Sequence, residues 1–180
     1  MFTKETIENY FLHFKQGHLF LLMLAGVSII VGMALYLGVK KHFFKGFSIP
    51  LFSAAMLLFT ITYTNFNNAD RLRKILVYDY DLHPENLKIR ELVRVDSFML
   101  NANIIFYTSI ALIIVAVGLF LYFHKKLNAQ YIKGTAASLF LMSLIVATTF
   151  FIMKKEAKDY REGIMEFTNQ DNIKEGTPTL

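Results

Sequence analysis

Four windows of this chain, residues 19–39, 47–64, 104–123 and 135–153, contain no Asp, Glu, Lys or Arg. A helix needs about 20 apolar residues to cross a ~30 Å hydrocarbon core. The first, third and fourth windows meet that length. The second is shorter and contains Pro50, read as lying near the first turn of its helix, where proline is tolerated. A soluble chain of 180 residues has too little polar surface to coat four such helices. Only 18% of the residues are charged and 54% are apolar, whereas soluble domains approach a quarter charged. The expected fold class is therefore an all-α integral membrane protein, an up-down bundle of four transmembrane helices. The first window does not read as a secretory signal, because its apolar run is too long and Glu5 and Glu8 precede it.

The placement of acids sets the topology. All fourteen fall within residues 5–8, 70–96 and 156–175. The two short connections, 40–46 and 124–134, carry no acid; they carry Lys40, Lys41 and Lys45, then Lys125, Lys126 and Lys133. An even number of spans puts both connections on one face and both termini with the middle segment on the other. The loop face then has a net charge of +6 and the terminal face −1. The basic pI of 9.3 is thus concentrated at a membrane border, and nucleic acid is not an expected partner. Orientation follows Lys and Arg near the span ends. Lys15, Arg71, Arg73, Lys74, Arg90, Arg94, Lys154, Lys155, Lys158 and Arg161 crowd the terminal face. The expectation is a multi-pass protein of the cytoplasmic (inner) membrane with both termini cytoplasmic.

Two halves of the chain share a pattern. Gly32 and Leu35-Tyr36 match Gly118 and Leu121-Tyr122, and Lys45-Gly46 matches Lys133-Gly134 two residues further along. The reading is a parallel duplication of an αα-hairpin, hairpin 1 over 3–77 and hairpin 2 over 84–167, in one domain covering 1–167. The helical pattern outruns the spans on the terminal face. Leu87, Leu92 and Val95 recur at helical spacing after Pro84, with Glu91 and Arg94 at i,i+3. The second helix is expected to reach about Leu76, with a turn over 77–83, and the fourth about Phe167. Residues 168–180 are expected to be a flexible tail.

Chemistry is sparse. Without cysteine there is no disulfide framework, thiolate metal site or Cys nucleophile. No HExxH, GxSxG, P-loop or GxGxxG motif occurs. No carboxylate lies at span depth, where proton- and cation-coupled carriers usually place one. His13, His18, His42, His83 and His124 are scattered and read as solvated imidazoles near the membrane borders. The expectation is no enzyme, no catalytic residue, no metal and no cofactor.

Candidate sites are of three kinds. A protein partner is expected at the terminal face, where rigid helices, both charge signs and aromatic side chains coincide: Arg71, Arg73, Tyr78, Tyr80, Glu91 and Arg94. Anionic lipid head groups are expected at Lys40, Lys41, Lys45, Lys125, Lys126 and Lys133, at about 1 kcal/mol per charge. Close helix packing is expected at Ala25, Ser28, Gly32, Gly118, Ser143 and Ala147, because helices in lipid associate through small residues. Polar uncharged residues also gather near the terminal face, Asn65 and Asn68 after span two and Asn101 and Asn103 before span three. They read as interhelical hydrogen bonding or the rim of a water-filled vestibule.

In size and four-span layout the chain resembles the immunity proteins of pore-forming colicins. It is also similar to the small four-helix accessory proteins encoded beside some RNA-targeting CRISPR effectors. Both resemblances rest on hydropathy across the four spans, so neither transfers a functional residue. They imply a non-enzymatic membrane protein that binds and regulates or neutralises a partner. The alternatives are a homo-oligomeric channel or pore-forming accessory of a bacterial defence system, and a lipid-interacting or carrier protein.

Overall fold

The computed structural model describes residues 2–126 and 129–175, with side chains through Thr168. Four helices account for the fold: α1 (Lys4–Gly38), α2 (His42–Leu82), α3 (Leu92–Phe123) and α4 (Gln130–Glu175). No strand occurs among the described residues. All four are long and apolar enough to cross a membrane. Thr3 starts α1 through a reciprocal cap, accepting from the Thr6 amide while its own amide donates to the Thr6 hydroxyl. A π-helical turn, Leu87–Glu91, leads into α3, with the Leu92 amide donating to the Leu87 carbonyl five residues back. That wide turn keeps Leu87, Glu91 and Val95, each four residues apart, on one buried side.

Neighbouring helices run antiparallel within each hairpin. Lys4 meets Asp81 at 2.7 Å and Lys15 meets Asp70 at 2.5 Å across α1 and α2; Arg161 meets Asp96 at 2.5 Å across α4 and α3. These pairs are partly or fully exposed, so solvent screens them and they report the helix directions rather than hold the fold. α2 and α4 hold the centre. α1 packs mainly on α2 and α3 mainly on α4, while α2 and α3 scarcely touch.

The buried positions recur every seven residues. In α1 the repeating positions are Ile7, Phe11, Phe14, His18, Leu21, Ala25, Ser28 and Gly32, with Tyr10 buried outside the period. In α2 the seam is Ser48, Ala55, Thr62, Ala69 and Leu76, and in α3 Val95, Ala102, Ser109 and Ala116. A strict seven-residue repeat is the pattern of helices wound left-handedly about each other. Residue size along the seams changes with depth. Within the charge-free windows the seams carry mainly Ala, Ser and Gly, while Val27, Ile30, Leu57, Ile114 and Phe151 point outward, exposed. Towards the termini the relation reverses, and Phe2, Phe11, Phe14, Leu87, Tyr160 and Ile164 are inside. Water drives large apolar side chains inward; lipid does not, and close backbone approach takes over.

At the loop end the backbones of α2 and α4 touch. A Cβ added to Gly46 would overlap the Tyr131 carbonyl, and one added to Gly134 would overlap the Phe43 carbonyl. The contact is reciprocal, and each glycine and each aromatic stands 88 residues from its counterpart. The same offset carries α2's Ser48, Ala55, Ala69 and Leu76 onto α4's Ala136, Ser143, Ala157 and Ile164, all buried.

Several expectations are corrected. Residues 77–82 are helix, not turn, and only His83 and Pro84 interrupt the helical backbone before it resumes at Glu85. Leu76 and Asp79 both face inward, so the seam continues and gives the helix no reason to stop. α4 runs past Phe167 to Glu175, so the tail expected from 168 is helical as far as the described residues go. α2 begins at His42, which places Pro50 inside the helix rather than in its first turn. Gly118 is exposed with open space around an added Cβ; the α3 seam passes through Ser109 and Ala116 instead. Ala25, Ser28, Gly32, Ser143 and Ala147 are buried.

Candidate functional site

The terminal end of the bundle combines a buried ion pair, an open polar cleft and exposed apolar side chains. The π-helical turn carries Glu91 into the interior, where only 2% of its side chain is exposed. Arg94, one turn later, grips it with both arms, Nε to Oε2 at 2.7 Å and Nη2 to Oε1 at 2.6 Å. The guanidinium lies over the Phe11 ring at 5.1 Å and near those of Tyr10 and Phe14. Tyr10 stacks on Tyr160 with centroids 3.9 Å apart and rings 3° from parallel. Neither phenol oxygen completes a hydrogen bond, although both lie in the charge environment of the pair.

Burial sets the titration of this cluster. It pushes the Tyr10 phenol up to about 12, against a partial lowering by Arg94, and raises Tyr160 further, with the Glu91 charge adding to the effect. Burial alone would lower the pKa of Arg94, but the hydrogen bonds and charge of Glu91 outweigh it and raise it above the ordinary guanidinium value. Arg94 therefore keeps its charge, and the two tyrosines stay neutral, at physiological pH.

Because α2 and α3 scarcely touch, a cleft of about 540 Å³ opens between them just above the charge-free windows. Asn65, Asn68 and Arg71 from α2 face Arg94, Ser97 and Asn101 from α3. The three carboxamides and Arg71 make no side-chain hydrogen bond or ion pair among the described residues. The floor is Phe14 and Phe150.

The expected partner-binding residues thus separate. Glu91 is inside the bundle and Arg94 largely so, holding the fold and presenting one edge to the cleft. Arg71 lines the cleft and Arg73 is partly buried beside it in sequence. Tyr80 turns inward against Phe2 and Phe167, at 6.2 and 5.1 Å between centroids. Tyr78 points outward at 58% exposure. Ile75 and Leu82 are exposed on the same helix and Ile89 and Val93 just after the connection.

At the opposite end Lys40, Lys41, Lys125 and Lys126 are exposed and Lys45 and Lys133 partly buried. Lys133 donates to the His124 carbonyl at 2.8 Å, closing the end of α3, and Lys126 lies 4.4 Å from the Tyr122 ring centroid. His18 is not a solvated imidazole: it is buried, its Nδ1 donates to the Phe14 carbonyl at 2.8 Å, and its ring lies on Phe14. Its seven-residue register with Phe11 and Ala25 was the available signal. No cluster of metal-binding side chains occurs among the described residues. Comparison with known proteins finds no matching family model, no matching curated protein and no matching solved structure.

Proposed function

We propose that this chain is a non-enzymatic, multi-pass protein of the cytoplasmic membrane that binds and regulates or neutralises a protein partner. Its bundle is a parallel duplication of one hairpin, its termini are cytoplasmic, and the terminal end projects from the bilayer. The observation that carries the binding role is the exposure of Ile75, Tyr78, Leu82, Ile89 and Val93 outside the charge-free windows. Lipid explains the outward apolar residues of the windows, but these five fall where the bundle's own core is built as in water. Large apolar side chains left in water at the end of a well-packed bundle mark an interaction surface. Their neighbours supply both charge signs, which gives such a surface specificity.

A photo-crosslinking residue at Tyr78 or Ile89 tests this in intact cells. A discrete adduct of one added protein, absent when the residue stands at lipid-facing Leu37, is the expected result. An adduct of twice the chain's own mass would favour the homo-oligomeric channel. No adduct at either position would count against the surface.

A further inference from the structure

The geometry points to a second binding site: the groove between α2 and α3 holds one anionic phospholipid, its phosphate at Arg71 and Arg94 and an acyl chain running along the bundle. The polar cleft does not end at the membrane border. Through Ile61, Ile105 and Phe150 it joins an apolar pocket of about 200 Å³ lined by Ala54, Leu57, Leu58 and Leu112. A polar chamber above and an apolar channel below match an amphiphile lying parallel to the helices. A soluble anion would leave the channel empty, and a fatty chain alone would leave the carboxamides and guanidiniums unused.

The charge of the chamber selects the head group. Its lining includes two guanidiniums and no carboxylate. Glu91 occupies Nε and Nη2 of Arg94 from the buried side, leaving Nη1 without a protein partner among the described residues. That guanidinium is held in place before any ligand arrives, so little side-chain freedom is lost when an anion binds. Arg71 is exposed and free to close over the same anion. Asn65, Asn68 and Asn101 offer donors and acceptors suited to a phosphodiester and the hydroxyls of a glycerol head group. A zwitterionic head would bring an ammonium to two guanidiniums. This site is separate from the basic loops, which lie at the other end of the bundle, and from the outward surface around Tyr78.

The test is retention of lipid by the detergent-purified chain, read by native mass spectrometry after exposure to equal amounts of phosphatidylglycerol and phosphatidylcholine. One phosphatidylglycerol per chain is expected. Arg71→Glu should weaken its retention roughly tenfold or more, the weight of a hydrogen bond to a charged group. Ile61→Trp should block the channel with a similar loss. Both positions are exposed, and unchanged thermal unfolding of the variants will show that the fold is intact. Gln at Lys40, Lys41, Lys125 and Lys126 should leave retention unchanged. The proposal is overturned if the loop variant alone loses the lipid, if both lipids are retained equally, or if inorganic phosphate displaces the lipid as readily from Ile61→Trp as from the parent. It is likewise overturned if Arg71→Glu retains the lipid but loses the protein adduct formed at Tyr78, which would make the cleft part of the protein surface.

Discussion

The Thr135 hydroxyl on α4 lies 3.1 Å from the Gly46 carbonyl on α2 and equally 3.1 Å from the Tyr131 carbonyl one turn back on its own helix, so its one proton is shared between the two acceptors. Gly46 lies four residues before Pro50, so its carbonyl is the one that proline leaves without a helical donor. Gly46 is buried against α4, so such an oxygen is shielded from water and a neighbouring hydroxyl is the means of satisfying it. Proline, glycine and threonine therefore form one device: Pro50 frees the acceptor, Gly46 lets α4 come close, and Thr135 supplies the donor. Thr135→Val should destabilise the bundle by about 1–3 kcal/mol. In a Pro50→Ala background, where the helix supplies its own amide, the same change should cost clearly less. Thermal unfolding of the four proteins in detergent measures the coupling; equal costs in both backgrounds would show that the bond is not compensating for proline.

Glycines at different depths of the bundle should respond in opposite ways. An added Cβ at Gly46 or Gly134 meets backbone, which cannot move aside, and each Gly→Ala change should cost about 1–3 kcal/mol or more. At Gly26 nothing lies within 4 Å of an added Cβ. Gly26→Ala should be neutral or should stabilise by up to about 1 kcal/mol through the backbone.

A similar contrast separates Gly32 from Gly118, which share a sequence context but not a structural one. At Gly32 an added Cβ would sit 3.4 Å from the Phe52 Cβ and 3.5 Å from the Ser48 carbonyl; at Gly118 there is open space. Gly32→Leu should lower the unfolding temperature markedly and Gly118→Leu should leave it nearly unchanged. Equal effects would place the α3 seam wrongly.

Those two glycines show what the sequence could and could not reveal. Four charge-free windows and the position of every acid sufficed for four helices, because both follow from the cost of placing charge in hydrocarbon. Gly32 and Ser28 could be assigned to a seam because α1 has many small residues in register. Gly118 does not lie on the α3 seam, because a small residue suits an open helix face as well as a contact. Val95, Ala102, Ser109 and Ala116 keep the seven-residue period, a signal that counting small residues without phase overlooks. The continuation of α2 through residues 77–82 was hidden by the alternation Tyr78-Asp79-Tyr80-Asp81. It looks like a solvated turn, yet Asp79 is 8% exposed, with the Asn86 amide donating to it at 3.4 Å. The pairing of Glu91 with Arg94 could be read from i,i+3 spacing; its burial could not, because it depends on aromatic rings from α1 and α4.

The buried pair predicts a further asymmetry. Glu91→Gln leaves the Arg94 charge enclosed without its counterion and should cost about 3–5 kcal/mol. Tyr10→Phe removes a buried hydroxyl that completes no hydrogen bond and should be nearly neutral at pH 7. At alkaline pH the two forms diverge. The Tyr10 phenol titrates near 12 in the folded chain and at 10.0 when unfolded, so the unfolded state loses its proton first. Stability from this group is complete below about pH 10 and is lost as pH rises towards 12. Unfolding curves between pH 9 and 12 should fall more steeply for the parent than for Tyr10→Phe; parallel curves would mean that the phenol titrates normally.

The proposed topology is a bundle that crosses the bilayer four times, with its functional end beside the termini. Single cysteines at Lys41, Lys126 and Lys158 in this cysteine-free chain can be labelled with a membrane-impermeant maleimide, in intact cells and after permeabilisation. Positions 41 and 126 should label from outside intact cells, and 158 only after permeabilisation. Labelling of 41 and 126 from opposite sides of the membrane would contradict it.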